Sequence, residues 1–255
     1  MCGIAGILSP GRSSGWLDAS AARMQASLVH RGPDAHGLWS DAEIGIALAH
    51  RRLSVIDLSP QGAQPMHSAS GRFIIVYNGE VYNFPELRRN LCEAGVEFRG
   101  SSDTEVILEA IEAWGLSRAL DRFIGMFAFA LWDCKSRELH LVRDRLGIKP
   151  LFWAQAGSLF LFGSELKALL ACDSWSPEID RNALSAYVRW NYVPSPHCIF
   201  QGAAKLAPGT RLVVRPGEAP RIIRYWELRE FPSQLESLVS ASEAEEALEH
   251  LLLDA

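Results

Sequence analysis

No stretch of this chain approaches the roughly 20 consecutive apolar residues that a membrane-spanning helix needs, so no membrane association is expected and a cytoplasmic location is the default. The apolar run from Cys2 to Leu8 is too short for a secretory signal, and no basic segment precedes it. Cysteine is scarce. The five present (Cys2, Cys92, Cys134, Cys172 and Cys198) are odd in number and never spaced C-x-x-C, which argues against a disulfide framework and against a zinc or other metal site. Positive charge is not in excess either. Lys and Arg number 25 against 30 Asp and Glu, a net charge of -5, and the basic residues are scattered apart from His50-Arg51-Arg52. That balance excludes an electrostatic grip on nucleic acid. No repeat, low-complexity segment or G-x-x-x-x-G-K-[ST] phosphate loop occurs. What is present is an ordinary soluble composition, 48% hydrophobic and 22% charged over 255 residues, enough for one large domain or one domain plus part of another.

Periodicity predicts a mixture of strands and helices. Cys2 to Leu8 reads as a strand covered on both faces, and Leu17, Ala21, Met24 and Leu28 recur at helical spacing. Arg31-Gly32-Pro33-Asp34 must be a loop. Ile44 to Ile56 is strand-like, and Phe73 to Tyr77 is a strand running into Asn78-Gly79, a turn dipeptide. Helices are expected from Pro85 to Ala94 and from Thr104 to Trp114, the second with N-caps offered by Ser101, Ser102 and Asp103. Strands follow at Met126 to Trp132, Leu139 to Val142, Leu151 to Ala154 and Leu159 to Phe162, then a short helix from Glu165 to Ala171. An irregular stretch surrounds Pro194 and Pro196, and a hairpin from Thr210 to Tyr225 turns at Pro216-Gly217. Ser242 and Glu245 form an S-x-x-E capping box for a last helix, whose apolar face (Ala247, Leu248, Leu251, Leu252) has nothing after it to pack on.

Few residues combine the right chemistry with the right place. Met1 before a small residue is commonly removed, which would leave Cys2 with a free α-amine beside its own thiol. The reference pKa values are about 8 for the amine and about 8.5 for the thiol, so the amine can take the thiol proton directly or through a water. The competing reading is a buried structural cysteine that happens to lie second. Asn78 and Gly79 offer a side-chain amide and a backbone N–H to a developing oxyanion, against a plain hairpin turn. Arg52 and Asp103 could hold the carboxylate and ammonium groups of a free amino acid, against a surface arginine and a helix-capping aspartate. Strand alternation lets only one of Arg51 and Arg52 enter a given pocket. His30 and His50 read as structural, since a terminal amine makes a histidine base unnecessary, and Cys198 beside His197 is a weaker Cys–His pair.

Together these segments resemble the class II glutamine amidotransferases. The resemblance rests on Met1-Cys2-Gly3-Ile4-Ala5-Gly6, His30-Arg31-Gly32-Pro33-Asp34, Asn78-Gly79-Glu80 and Ser102-Asp103-Thr104-Glu105, in order over most of the chain. Within that class the chain is most similar to glutamine-hydrolysing asparagine synthetase, through His50 to Asp57, Tyr77 to Asn83 and Arg143 to Pro150. The Thr-Arg-Trp-Ala-type segment of the glucosamine-phosphate synthases and purine-pathway amidotransferases is replaced here by His50 to Ser54.

The resemblance implies an α+β fold, a four-layer αββα sandwich of two antiparallel sheets of the Ntn-hydrolase, glutamine amidotransferase type 2 kind. It implies that Cys2 attacks the glutamine amide and that Asn78 and Gly79 hold the oxyanion. Arg52 would bind the substrate carboxylate, and Asp103 with Glu80 the ammonium, the glutamine pocket also taking in Leu53, Ser54, Val55 and Ile56. The glutaminase domain would span residues 2–217, and residues 218–255 would be a connector and the first helix of a truncated synthetase domain. The family's Ser-Gly-Gly-x-Asp-Ser pyrophosphate loop is absent, so no cofactor is expected in this chain; ATP and Mg belong to the missing synthetase domain or a partner chain that accepts the ammonia. A homodimer is left open. Two other readings remain: the same glutaminase serving another carboxylate, in cell-surface or secondary-metabolite synthesis, and a non-catalytic module that retains the fold.

Overall fold

The apolar N-terminal run becomes the middle of a sheet. In a computed structural model that describes residues 1–228 and 240–254, β1 (Gly3–Leu8) lies between β3 (Ile46–Arg52) and β9 (Leu159–Gly163). β2 (Ala35–Asp41) forms one edge, and β8 (Phe152–Ala156) and β10 (Ala203–Lys205) complete the other side, in the order β10-β8-β9-β1-β3-β2. The second sheet runs β12 (Arg221–Arg224), β11 (Thr210–Val214), β7 (Glu138–Arg143), β6 (Gly125–Asp133), β5 (Phe73–Val81) and β4 (Met66–His67). Every neighbouring pair in both sheets is antiparallel.

Strand alternation explains why these strands are apolar throughout. Ile4 and Leu8 of β1 face inward and, with Ile46 and Leu48, meet Ile74, Val76, Ala128, Ala130 and Trp132 of the second sheet. Ala5 and Ile7 face outward, under α1 (Ser14–Ala26) and α5 (Leu166–Leu170), against Leu17, Met24 and Leu169. The outer face of the second sheet is covered by α2 (Phe84–Glu93), α3 (Asp103–Trp114) and α4 (Leu116–Arg122). There Leu87, Leu91, Val106, Ile107 and Leu120 pack on Ile75, Tyr77, Phe127 and Phe129. The result is helices, sheet, sheet, helices, the αββα order that the resemblance implies.

Four local expectations need correction. Asn78-Gly79 is not a turn: both residues lie inside β5, with Asn78 opposite Ala128 and Gly79 opposite Phe127. Long-range pairing along all of β5 overrides the local turn preference of the dipeptide. The strand expected from Ile44 to Ile56 ends at Arg52, and the chain leaves the sheet at Leu53. Two helices and three edge strands go beyond the periodic reading: α4, α6 (Arg181–Trp190), β2, β4 and β10. The helix α6 had a legible start, because Asp180 accepts hydrogen bonds from Asn182 N at 2.8 Å and Ala183 N at 3.2 Å. Finally, α7 (Ala241–Asp254) is capped two residues earlier than expected: Ser240 Oγ accepts from Glu243 N at 3.3 Å, since the helix already begins at Ala241. Leu248, Leu251 and Leu252 on α7 are exposed.

Candidate active site

The two sheets meet at a cavity of about 180 Å³ beside the start of β1. Its walls come from Cys2, from Arg52, Leu53, Val55, Ile56 and Asp57 at and after the end of β3, from Tyr77, Asn78, Gly79 and Glu80 of β5, and from Asp103 at the start of α3. Met1, Gln64, Met126 and Lys149 also reach it. All but one of the residues that the resemblance assigns to the glutamine site therefore converge on one hollow. Ser54 is the exception: it does not line the cavity, and its N–H donates to Asp34 Oδ2 at 2.8 Å. Arg52 lines the cavity, whereas Arg51 turns away to the Gln25 carbonyl at 3.3 Å, as strand alternation requires.

Cys2 is fixed by backbone on both sides. Its Sγ lies 3.4 Å from Leu53 N and 3.6 Å from Leu53 O, and its own carbonyl accepts from Arg31 Nε at 3.1 Å. Burial pushes the thiol pKa up, while the Leu53 hydrogen bond, the positive chain terminus and Arg52 pull it down. The thiol is held neutral and needs a base beside it to become a nucleophile.

Across the cavity, Asn78 is 1% exposed and its Nδ2 has no hydrogen-bond partner among the described residues. A buried amide N–H without an acceptor costs about 1–3 kcal/mol, so an orphan donor in a pocket wall marks a place where a ligand oxygen can sit. Gly79 follows where β5 and β6 approach closely. A Cβ there would overlap the Met126 carbonyl oxygen and stand 2.6 Å from Phe127 Cα, so only glycine keeps this register.

The opposite end of the cavity is charged. Ser102, not Asp103, caps α3, with Ser102 Oγ accepting from Thr104 N at 3.0 Å. That frees the Asp103 carboxylate, which accepts from Tyr77 Oη at 2.7 Å and Val81 N at 3.2 Å and still lines the cavity. Burial pushes the Asp103 pKa up against these hydrogen bonds, and it pushes Tyr77 well above its usual value, with Asp103 adding to the effect. Arg52 donates to the carbonyls of Ser59 (3.0 Å) and Asp57, and Gly62 lies against its guanidinium. Asp57 closes the same loop: Ser59 N and Oγ donate to Oδ1, and Ser101 N donates to Oδ2 at 2.9 Å. These bonds hold the Asp57 carboxyl at about 2.

Periodicity could not find the supporting residues. Gln64 ties the floor together, accepting from Tyr77 N at 2.6 Å and donating to Thr104 Oγ1 at 3.2 Å. His50, 1% exposed, crosses between the sheets to the Tyr77 carbonyl at 3.1 Å. Arg31 joins Cys2 O to Glu165 Oε1, the latter at 2.7 Å. His30 also reaches Glu165, at 2.9 Å on the surface outside the cavity. His197 and Cys198 are absent from the cavity wall, and Cys198 is buried elsewhere. Among the described residues no cluster of three or more His, Cys, Asp or Glu is placed to hold a metal ion, and no helix is long and apolar enough to cross a membrane.

A thiol at the start of the first strand, between two antiparallel sheets and across from an amide donor without a partner among the described residues, is the arrangement that an acyl-transfer nucleophile needs. The glutamine phosphoribosylpyrophosphate amidotransferase of B. subtilis has this fold, with a TM-score of 0.65 at 19% identity over 89% of this chain and 50% of that one. The chain belongs to the glutamine amidotransferase domain family, whose model matches residues 1–226. It is 37% identical over 231 residues to asparagine synthetase [glutamine-hydrolyzing] 3 of Bacillus subtilis, covering 89% of this chain and 37% of that protein. It is 35% identical to Amidase chry2 of Gibberella zeae, covering 100% of this chain and 38% of that protein. The chain thus spans little more than a third of the length of these two curated relatives.

Proposed function

We propose that this chain hydrolyses the side-chain amide of glutamine. The observation that carries the reading is the Cys2 thiol sharing a cavity with the unpartnered Asn78 Nδ2. Removal of Met1 exposes the Cys2 α-amine, which takes the thiol proton, directly or through a water. The thiolate adds to the amide carbon, and the oxygen takes the negative charge against Asn78 Nδ2 and the Gly79 N–H. Collapse expels ammonia as the terminus returns the proton, leaving a thioester on Cys2. Water then attacks the thioester, and glutamate leaves with the thiol restored. Arg52 grips the substrate carboxylate, while Asp103 and Glu80 take the ammonium. Both ends are thereby fixed before the amide reacts.

The ammonia goes to a synthetase domain or partner chain outside these residues, where ATP and Mg activate a carboxylate. Asparagine synthetase relatives support aspartate as that acceptor. The amidase-named relatives support a second acceptor with the same glutaminase chemistry.

The test is ammonia release from glutamine by the purified protein. Cys2→Ala is expected to abolish it, and 6-diazo-5-oxonorleucine is expected to add covalently to Cys2 in the active chain. Undiminished turnover in Cys2→Ala would refute the mechanism. Intact mass gives a second check, because a retained Met1 leaves Cys2 without its amine and favours a non-catalytic module.

A further inference from the structure

One charged group on the cavity wall has no task in this scheme. Lys149 is 5% exposed and lies between β7 and β8. Its backbone is clamped: Lys149 N donates to Asp144 Oδ2 at 2.9 Å, and Lys149 O accepts from Arg143 Nε at 2.8 Å. Asp144 also takes the N–H groups of Leu146 and Ile148, so the whole loop is pinned by one carboxylate. Among the described residues, the only hydrogen-bond contact of Lys149 Nζ is Met1 Sδ, at 3.4 Å. A buried ammonium with a thioether as its one partner is costly. Fold stability does not account for it, since the Asp144 bonds that hold this loop are made by the Lys149 backbone rather than its side chain.

We infer that Lys149 is a positioning residue that keeps the Cys2 α-amine unprotonated. The inference rests on the proposed glutaminase reading. Met1 is the residue that processing removes, and its loss takes the thioether away from Nζ. Lys149 and Cys2 line one cavity, so the ammonium and the newly exposed terminus then share it. A nearby cation disfavours a second cation, so the amine titrates lower and more of it is free base at neutral pH. The other charged groups around Cys2 divide. Arg52 from β3 acts with Lys149. Glu80 from β5 and Asp103 from α3 oppose it, and both are engaged by the substrate ammonium in the proposed complex. Asp57 is turned to Ser59 and Ser101, Arg31 is neutralised by Glu165, and His50 is bonded to the Tyr77 carbonyl. Among the described residues, Lys149 is therefore the cation on this wall without an anionic or carbonyl partner.

The experiment measures the titration of the α-amine by pH-dependent competitive acylation, read by mass spectrometry on the processed full chain. In parallel it measures the pH profile of kcat/KM for glutamine hydrolysis. Lys149→Met and Lys149→Gln are expected to raise the amine midpoint by about one pH unit, moving the acid limb of kcat/KM by the same amount. Lys149→Arg is expected to return both toward the native profile, a rescue that a purely structural role would not track with pH. An unmoved amine midpoint in both neutral variants overturns the inference, whatever happens to kcat. A shifted midpoint in a chain that releases no ammonia overturns the glutaminase reading and leaves the role of Lys149 standing. Retention of Met1 overturns both.

Discussion

His50 makes the fold acid-sensitive at the point where the two sheets meet behind the cavity. Its Nε2 faces the Tyr77 carbonyl at 3.1 Å and must carry the proton, since a carbonyl can only accept. Nδ1 is then the bare nitrogen, and among the described residues it is buried without a partner. Protonating Nδ1 would create a buried cation whose new N–H meets no acceptor. Burial accordingly lowers the His50 pKa from 6.5 to about 4, with Arg52 pushing the same way and the Tyr77 hydrogen bond resisting. The sign follows. A depressed folded-state pKa contributes stability that is fully present above the unfolded value of 6.5 and is lost as pH falls toward about 4. A shift of that size corresponds to about 3 kcal/mol across the whole window, of which about 2 kcal/mol has gone by pH 5.

The assay is urea unfolding of the native chain and of His50→Gln at a series of pH values from 7.5 to about 4.5. Glutamine keeps an N–H for the Tyr77 carbonyl but cannot titrate. The native chain is expected to lose about 2 kcal/mol more than His50→Gln between neutrality and pH 5. His140, buried and also lowered to about 4 chiefly by burial, contributes to both proteins and cancels in the difference. Parallel stability curves for the two proteins would refute the assignment.

Two further outcomes concern the cavity itself. Asn78→Ala removes the unpaired donor and is expected to lower kcat for glutamine hydrolysis by roughly 10²–10³-fold with little change in KM, measured by steady-state ammonia release. Arg52→Ala is expected chiefly to raise the glutamine KM, because the carboxylate it would hold takes no part in bond breaking; a large fall in kcat at unchanged KM would contradict that role.

The inner strands were legible in sequence because both their faces are covered, so each announces itself as an apolar run, whereas the edge strands β2, β4 and β10 carry no such run. The site was legible in fragments for a different reason. Cys2, Arg52, Asn78 and Asp103 each carry chemistry that their neighbours lack, yet nothing local says that they meet. Asn78-Gly79 misled because a turn dipeptide is a local preference, whereas its place within β5 depends on pairing with a strand that begins 46 residues after Gly79, at Gly125. Gln64, Asp57 and Lys149 were invisible for the same reason. Their roles are contacts to residues distant in sequence, and no spacing rule encodes Gln64 reaching both Tyr77 and Thr104.

That division of labour makes the seam between the sheets the critical element. The nucleophile belongs to the first sheet and the oxyanion donors to the second, so no rearrangement within either sheet alone can align them. The inter-sheet core sets their separation, and the His50–Tyr77 bond fixes it one residue from Asn78. Tyr77 also holds Asp103 through its hydroxyl and Gln64 through its N–H, so one residue of β5 connects the substrate-binding end, the floor and the opposite sheet. Removing the His50 bond by substitution should therefore disturb the distance from Cys2 to Asn78 before the fold itself gives way. His50→Ala should accordingly lose glutamine hydrolysis at a lower urea concentration than the one at which it unfolds, whereas acid, which adds its proton at Nδ1, leaves the Nε2–H bond to the Tyr77 carbonyl in place.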